Sequence, residues 1–165
     1  MLIREIKVLT ELKDENGFAR LVAYGKIENY SYIIMSHLGR NLEQLLKICG
    51  NKFTLQTALY VADQMLSRIE ILHNHNIIHR DIKPENFVIG QQGNYKNVYL
   101  IDFGLAKYYK DNENNHIKMC EKKGMIGTVR YASTNAHLGN EQSRRDDLES
   151  IGYFFLVSFQ CFLQF

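Results

Sequence analysis

Four side chains near the middle of the chain have types that suit work on a metal-bound anion. Asp81, Lys83 and Asn86 lie in residues 79–86, His-Arg-Asp-Ile-Lys-Pro-Glu-Asn, and Asp102 opens an Asp-Phe-Gly tripeptide. Carboxylate and amide oxygens are hard ligands of the kind that Mg²⁺ takes. A carboxylate can also accept a proton, and an ammonium group can lie beside a phosphate. Two strand-like pieces separate these segments and would deliver both to one place.

Residues 79–86 resemble the catalytic loop of protein kinases, and the Asp-Phe-Gly that follows them is the next motif of that family. The resemblance implies that Asp81 accepts or orients a substrate hydroxyl proton and that Lys83 lies beside the transferring phosphate. It implies that Asn86 and Asp102 bind Mg²⁺. The alternative is a set of solvated loop carboxylates and a turn-forming asparagine. Because both motifs occur in the family's order, we favour the kinase interpretation.

From about residue 5 to residue 153 the chain is similar to the casein kinase I family. The most informative segment is Ser133-Thr134-Asn135, because most protein kinases have Ala-Pro-Glu there and this family has Ser-Ile-Asn. Residues 127–133 and 141–150 are similar to the same family. The resemblance implies transfer of phosphate from ATP, with Mg²⁺, to serine or threonine of acidic or already phosphorylated proteins. A lysine at position 83 is typical of serine/threonine kinases.

The resemblance also implies roles around the catalytic loop. Glu5 takes the place of the glutamate of helix C, whereas the alternative for this residue is an exposed helix charge. Leu9 and Phe103 are expected in the apolar spine of the domain. Asp147 is expected to anchor the catalytic loop from a later helix.

For the adenine of ATP, the resemblance implies a site at the hinge between two lobes. Met35 is the expected gatekeeper, and Val88 the apolar floor. The backbone groups of Ser36 and Leu38 are expected to form hydrogen bonds with the base. Together with Glu5 and Asp102, these are the residues expected to hold the nucleotide.

A cluster of positive side chains is the candidate site for the phosphate of a primed substrate. Its members are Arg80, Lys122, Lys123 and Arg130. The alternative is a solvated loop face. No serine, threonine or tyrosine occurs between Lys110 and Gly127, so the loop cannot supply a phosphate of its own. Thr128 is the nearest hydroxyl, and the resemblance implies that it belongs to the substrate-side motif.

The hydrophobic pattern predicts the elements that position these residues. An amphipathic helix opens the chain and stops before Asn16-Gly17, a strand pair follows at 21–27 and 32–35, and β-prone pieces lie at 87–89 and 98–101. Asn41 with Gln44 predicts a capping box, and Thr54 caps the next helix. Residues 111–123 form a long polar loop, and a last helix begins near Asp146. The predicted inward face of the helix after Thr54 is Leu55, Leu59, Ala62, Leu66, Ile69 and Leu72.

These elements predict an α+β fold, an incomplete version of the protein kinase fold. Residues 1–38 would be a remnant of the N-lobe with the hinge, and residues 39–165 part of the mainly helical C-lobe. The Gly-rich loop and lysine-bearing strand that precede helix C in kinases have no counterpart in the 165 residues. The alternatives to an active kinase are therefore a non-catalytic, kinase-like binding module, an inactive truncated gene product, or a Mg²⁺ or nucleotide binder of another fold.

Composition excludes several other classes. The formal net charge of +2, from 20 basic and 18 acidic residues, gives no reason to expect binding to nucleic acid or to a membrane surface. Residues 151–165 are apolar but too short to span a bilayer, and no secretory signal is visible, so we expect a cytoplasmic or nuclear protein. The sequence leaves the oligomeric state open.

Two sets of possible metal ligands do not have the spacing of a metal site. Cys49, Cys120 and Cys161 are far apart, and we expect buried or idle thiols in a reducing compartment. His73, His75 and His79 lie close together, but the sequence offers no fourth ligand near them. We therefore do not expect a zinc site.

Overall fold

The computed structural model describes residues 2–91 and 93–158. In this part of the chain the helices are α1 (Leu2–Glu11), α2 (Leu42–Ile48), α3 (Leu55–Asn74), α4 (Thr134–His137) and α5 (Arg144–Ser158). The strands are β1 (Leu21–Ile27), β2 (Tyr30–Met35), β3 (Ile77–Ile78), β4 (Phe87–Ile89), β5 (Val98–Leu100) and β6 (Lys107–Tyr108). The result is the α+β arrangement that the sequence predicts.

The strands form antiparallel pairs. β1 pairs with β2, β3 with β6, and β4 with β5. The predicted first pair is confirmed, although β2 begins at Tyr30, directly after the turn at Glu28 and Asn29. Glu28 has a φ of 52°, a left-handed conformation that tight hairpin turns require. The predicted domain boundary falls between β2 and α2 and stays a prediction.

Both predicted helix caps are present. The Asn41 side chain accepts a hydrogen bond from the backbone N–H of Gln44 at 2.8 Å, and the Gln44 side chain accepts one from the backbone N–H of Asn41 at 3.1 Å. The Thr54 hydroxyl accepts a hydrogen bond from the N–H of Thr57 at 3.2 Å. These contacts satisfy N–H groups that the first helical turn leaves unpaired, and they fix where α2 and α3 begin.

The predicted inward face of α3 is wrong in part. Leu55, Leu59 and Leu66 are exposed, by 53%, 60% and 46%. The buried residues of α3 are Ala58, Val61, Gln64, Met65, Ile69 and Leu72. Apolar stripes at helical spacing occur on both sides of this helix, so spacing alone does not choose between them. Packing against β5 decides, because the Gln64 side chain donates to the Lys96 carbonyl at 2.7 Å and accepts from the Val98 N–H at 2.7 Å.

A single cluster of buried apolar residues joins the helices to the short strands. Leu9 of α1, Phe103 after β5 and Phe154 of α5 all belong to it and are almost fully buried. The predicted spine residues Leu9 and Phe103 are therefore both in the core. Within the described residues no helix is long and apolar enough to cross a membrane.

Of the two expectations for the thiols, buried or idle, burial is wrong for the two cysteines that the structure describes. Cys49 and Cys120 are both exposed. Cys49 is the C-cap residue of the short helix α2, and Cys120 lies in the polar loop after β6. Neither position is covered by another helix or strand. The third cysteine, Cys161, lies outside the described residues.

Candidate active site

The β4–β5 hairpin brings Asn86 and Asp102 to the same end of two paired strands. Phe87 pairs with Leu100, and the N–H of Ile101 donates to the carbonyl of Asn86 at 3.0 Å. Asn86 lies directly before β4, and Asp102 lies just after β5, so both residues are at the same end of the strand pair. Asp102 has a left-handed φ of 64°, and its Oδ1 accepts a hydrogen bond from the N–H of Gly104 at 3.2 Å. Two hard oxygen ligands thus meet at one point of the fold.

The Asp81 carboxylate is buried and has a donor on each oxygen. Lys83 Nζ lies 2.7 Å from Oδ2, and the Thr128 hydroxyl donates to Oδ1 at 2.7 Å. Lys83 Nζ also donates to the Thr128 oxygen at 3.1 Å, so the three side chains form a closed triangle. Asn86 Nδ2 donates to the backbone carbonyl of Asp81 at 2.9 Å, which leaves the amide oxygen as the candidate metal ligand.

The surroundings of Asp81 keep it ionised at neutral pH. Burial acts to raise the pKa of its carboxyl, but the hydrogen bonds from Lys83 and Thr128 and the charges of Lys83 and His79 outweigh burial. The pKa therefore lies below its ordinary value. A carboxylate of this kind can orient a hydroxyl group and accept its hydrogen bond.

A single carboxylate of α5 holds the start of the catalytic loop. Asp147 is 2% exposed, and its oxygens accept hydrogen bonds from the N–H groups of His79 and Arg80, both at 2.9 Å. His73 Nε2 lies 2.9 Å from the same carboxylate. Arg80 has a left-handed φ of 68°, which an arginine adopts only when its surroundings impose it. Asp147 makes the anchoring contact that the family resemblance implies.

The His79 ring links the two motifs. Its Nδ1 accepts a hydrogen bond from the N–H of Asp81 at 3.3 Å, and its Nε2 lies 3.1 Å from the Ile101 carbonyl oxygen. The ring also packs edge-on against Phe103, with 5.5 Å between centroids. The catalytic loop and the Asp-Phe-Gly segment are thereby held at a fixed distance.

Two more acidic residues of α5 hold the segment after the loop. The Ser133 hydroxyl donates to Asp146 Oδ1 at 2.6 Å. The N–H and hydroxyl of Thr134 donate to Glu149 Oε1 at 2.8 and 2.9 Å. Thr134 is the one residue of its tripeptide that differs from the casein kinase I pattern, and its hydroxyl has a specific partner on α5.

Glu5 points toward Asp102. It is partly buried on α1 and accepts a hydrogen bond from the backbone N–H of Phe103. Burial and then the negative charge of Asp102 raise the pKa of Glu5. The alternative of an ordinary exposed charge does not describe this residue. Two neighbouring carboxylates create a negative potential that a cation relieves.

The donor set fits Mg²⁺ better than a metal that needs a full protein cage. Among the described residues, no group of three or more His, Cys, Asp or Glu side chains is arranged to hold an ion. Mg²⁺ keeps several waters and takes one or two carboxylates together with phosphate oxygens. Asp102 and the Asn86 amide oxygen meet that requirement, with Glu5 adding negative charge.

The predicted hinge residues Ser36 and Leu38 lie in the segment between β2 and α2. The Ser36 N–H donates to the Arg20 carbonyl at 2.9 Å, so its own carbonyl is the backbone group left to meet a base. The Leu38 carbonyl accepts a hydrogen bond from Gln91 Nε2 at 2.9 Å. Met35 ends β2, and Val88, which is 6% exposed, lies on β4.

The predicted phosphate-binding cluster does not form one open patch. Lys123 Nζ makes an ion pair with Glu141 Oε2, and Arg80 Nε donates to the Leu105 carbonyl at 2.8 Å. Lys122 and Arg130 are exposed. The Arg130 guanidinium lies 5.6 Å from the centre of the Tyr131 ring. Arg80 and Lys123 therefore already have partners within the protein, although Lys123 is itself exposed, whereas Lys122 and Arg130 face the surroundings.

The three clustered histidines have separate partners. His73 contacts Asp147, whereas His75 Nε2 lies 3.0 Å from Glu15 Oε1. His79 is part of the catalytic loop. Each ring therefore has its own place in the fold.

Sequence reasoning missed two contacts in this region. It placed Thr128 in the substrate-side motif beside the catalytic carboxylates, but it did not predict that the hydroxyl donates directly to Asp81. It treated Lys123 as free, whereas Glu141 pairs with it. Nothing in the sequence around Thr128 points to the first contact. Nothing in the spacing of Lys123 and Glu141 points to the second.

Comparison with known protein families matches residues 1–161 to the protein kinase domain. The match includes both motif segments and nearly the whole chain. It agrees with an α+β arrangement of helices and short strands that forms an incomplete kinase-like fold. Kinase domains use ATP and typically a divalent metal ion. The chain belongs to the protein kinase family.

Proposed function

We propose that the chain is the catalytic part of a serine/threonine protein kinase of the casein kinase I type. It would transfer phosphate from ATP to serine or threonine in acidic or already phosphorylated proteins. The observation that carries this proposal is the triangle of Asp81, Lys83 and Thr128, buried beside Asn86. It supplies a fixed carboxylate next to a fixed positive charge.

Asp81 and Lys83 have complementary tasks in this proposal. Asp81 is ionised and directed by its donors, so it orients the substrate hydroxyl and takes the proton as the new oxygen–phosphorus bond forms. Lys83 lies 2.7 Å from Asp81 and adds positive charge where the transferring group passes. The transferred group would be the terminal phosphate of ATP, whose bond to ADP breaks as the new bond forms, so that ADP leaves. Mg²⁺ held by Asn86 and Asp102 would neutralise charge on the phosphates.

The remaining assignments follow from the side chains at each place. Asn86 and Asp102 would hold Mg²⁺. Met35, Ser36, Leu38 and Val88 would receive the adenine. Of the candidate phosphate-binding residues, Arg130 and Lys122 are the exposed pair that a substrate can reach first. Lys123 and Arg80 would have to give up existing contacts.

The second candidate is a non-catalytic, kinase-like binding module or an inactive truncated product. The observation that favours it is the placement of Glu5, whose carboxylate lies near Asp102 rather than near a lysine. Phosphate transfer needs donors on the far side of the nucleotide, and each such donor is worth about 3 kcal/mol in the transition state.

The experiment compares the 165-residue chain with a version that carries the N-terminal strands of a related kinase. We expect little phosphorylation of casein by the first and clear activity in the second. Asp81→Asn and Asp102→Asn should each abolish that activity, while Asp63→Asn on the exposed side of α3 should leave it intact. A folded, extended enzyme that tolerates Asp102→Asn would disprove the site. An extended chain without activity would favour the binding module.

A further inference from the structure

Glu141 is a buried carboxylate between α4 and α5 that no step of the proposed reaction uses. Its side chain is 5% exposed. Lys107 Nζ lies 2.7 Å from Oε1, and Lys123 Nζ contacts Oε2. A buried carboxylate is tolerated only with such partners, because an unpaired buried charge is strongly destabilising. The buried Glu141 carboxylate therefore depends on the two partly exposed lysines.

These lysines lie at opposite ends of the loop that follows the Asp-Phe-Gly segment. Lys107 begins β6, and Lys123 ends the polar stretch 111–123. One carboxylate thus closes the two ends of the loop onto the segment before α5. Because the partners are 34 and 18 residues away in sequence, the contact constrains the whole loop.

Backbone hydrogen bonds also join the end of this loop to the segment before α5. The Glu141 N–H donates to the Cys120 carbonyl at 2.7 Å, and the Lys123 N–H donates to the Gly139 carbonyl at 2.8 Å. Gly139 has a left-handed φ of 72°, and a Cβ at that position would lie 2.4 Å from the Lys123 carbonyl oxygen. The loop and the segment before α5 are close enough that only glycine fits there.

Further positive charge lies near Lys107. Burial and then the charge of Arg80 lower the pKa of Lys107, and Arg4 acts in the same direction. The Glu141 carboxylate is the acid that pairs with both Lys107 and Lys123. Its negative charge therefore offsets the repulsion between these two lysines.

We propose that Glu141 is a built-in anionic anchor that holds the loop 107–123 in place of a phosphorylated loop residue. A phosphate on a loop orders it by pairing with several cations. The present loop has no hydroxyl side chain between Lys110 and Gly127, and Glu141 supplies a fixed carboxylate to cations on both sides of it. Glu141 is thus a positioning residue. The consequence for turnover rests on the proposed function, whereas the anchoring itself does not.

The test measures loop order without ATP or substrate, so its result is independent of kinase activity. The probe is a protease that cleaves after glutamate, with the cut after the exposed Glu121 followed by mass spectrometry. Glu141→Gln keeps the size of the side chain and removes its charge. We expect about tenfold faster cleavage after Glu121, because cleavage follows the population of the open loop. Glu70→Gln, on the exposed side of α3, is the matched control and should cleave like the parent.

Amide hydrogen exchange separates a local effect from general unfolding. Exchange in α3 should stay as in the parent when Glu141→Gln opens the loop. An unchanged cleavage rate, or faster exchange that includes α3 to the same degree, would overturn the proposal. If Glu141→Gln does not fold, Lys123→Gln tests the same contact. The Lys123 side chain is 39% exposed, and this substitution removes only one of the two cations paired with Glu141, so it should disturb folding less. The double variant, Glu141→Gln with Lys123→Gln, should be cleaved no faster than the more rapidly cleaved single variant. Additive increases in the cleavage rate would contradict the pairing of the two residues.

Discussion

The hydroxyl of Thr128 donates a hydrogen bond to Oδ1 of Asp81 at 2.7 Å. The two residues are 47 positions apart in sequence. The contact joins the segment after the long loop to the carboxylate at the centre of the candidate site. The state of that loop is thereby coupled to the orientation of Asp81.

Thr128→Val should destabilise the protein by about 1–3 kcal/mol, because a buried carboxylate loses a donor without gaining another. The pKa of Asp81 should rise, since the Thr128 hydrogen bond is one of the contacts that lower it. The measurements are urea unfolding and an NMR titration of the Asp81 carboxyl carbon. Thr128→Ser keeps the hydroxyl and should resemble the parent. Equal stability and an equal pKa in Thr128→Val would show that the hydroxyl contributes nothing.

Gly127→Ala should cost about 1–3 kcal/mol, a typical range for forced backbone strain. Gly127 has a φ of 108°, and a Cβ there would lie 2.6 Å from the backbone oxygen of Arg80. Gly124→Ala is the control from the same loop, since a Cβ at position 124 meets no atom within 4 Å. Unfolding free energies of both variants, measured in denaturant, give the comparison. A loss that is the same at both positions would rule out the specific clash.

Glu5→Gln should make the protein more stable at neutral pH. The pKa of Glu5 is raised in the folded state from the ordinary value of 4.5. The contribution of Glu5 to the free energy of unfolding is therefore fully present at a pH below 4.5 and is lost as the pH rises through the pKa of the folded state. Glutamine keeps the acceptor for the Phe103 N–H and removes the charge near Asp102. Stability curves from pH 4 to pH 7 should therefore diverge in favour of the variant. Parallel curves for parent and variant would contradict the raised pKa.

Arg130→Ala should weaken the preference for phosphorylated substrates in the chain extended with N-terminal strands. Arg130 is exposed, and its guanidinium lies 5.6 Å from the centre of the Tyr131 ring, so the unfolding free energy of the variant must be measured beside its activity. A charge-assisted hydrogen bond to phosphate is worth roughly 1.5–3 kcal/mol, so the preference should fall by about tenfold or more. The measurement is kcat/KM on a peptide pair with and without an upstream phosphoserine. Lys13→Ala, at an exposed position after α1, is the control. An unchanged ratio in Arg130→Ala would exclude this role.

Local signals in the sequence were enough to place most elements. The capping box of Asn41 and Gln44 fixed the start of α2, because both of its hydrogen bonds lie within one helical turn. The inward face of α3 was not predictable in the same way. Leu59 and Met65 are equally acceptable core residues by spacing, and only the packing of α3 against α5, β3 and β5 in the folded protein buries Met65.

In the candidate site, too, some features could be predicted from local sequence and others depend on tertiary packing. Residues 79–86 and Asp102 could be located because their types and order carry the chemistry. The partner of Lys123 could not, because Glu141 lies 18 residues away and its burial is a property of the fold. The contact of Gln91 with the Leu38 carbonyl spans 53 residues and was equally hidden. Pairings of this kind depend on tertiary structure, which a single sequence does not reveal.

The acidic residues at the start of α5 also determine when the site can form during synthesis. The N–H groups of His79 and Arg80 find their acceptor only in Asp147, 68 and 67 residues later. Bringing the two ends of so long a segment together lowers the conformational entropy of the chain before the hydrogen bonds can form and offset that loss. A nascent chain therefore emerges from the ribosome with its catalytic loop complete in sequence but without its acceptor. The left-handed Arg80 can be held in place only after α5 has been made and has packed against α3.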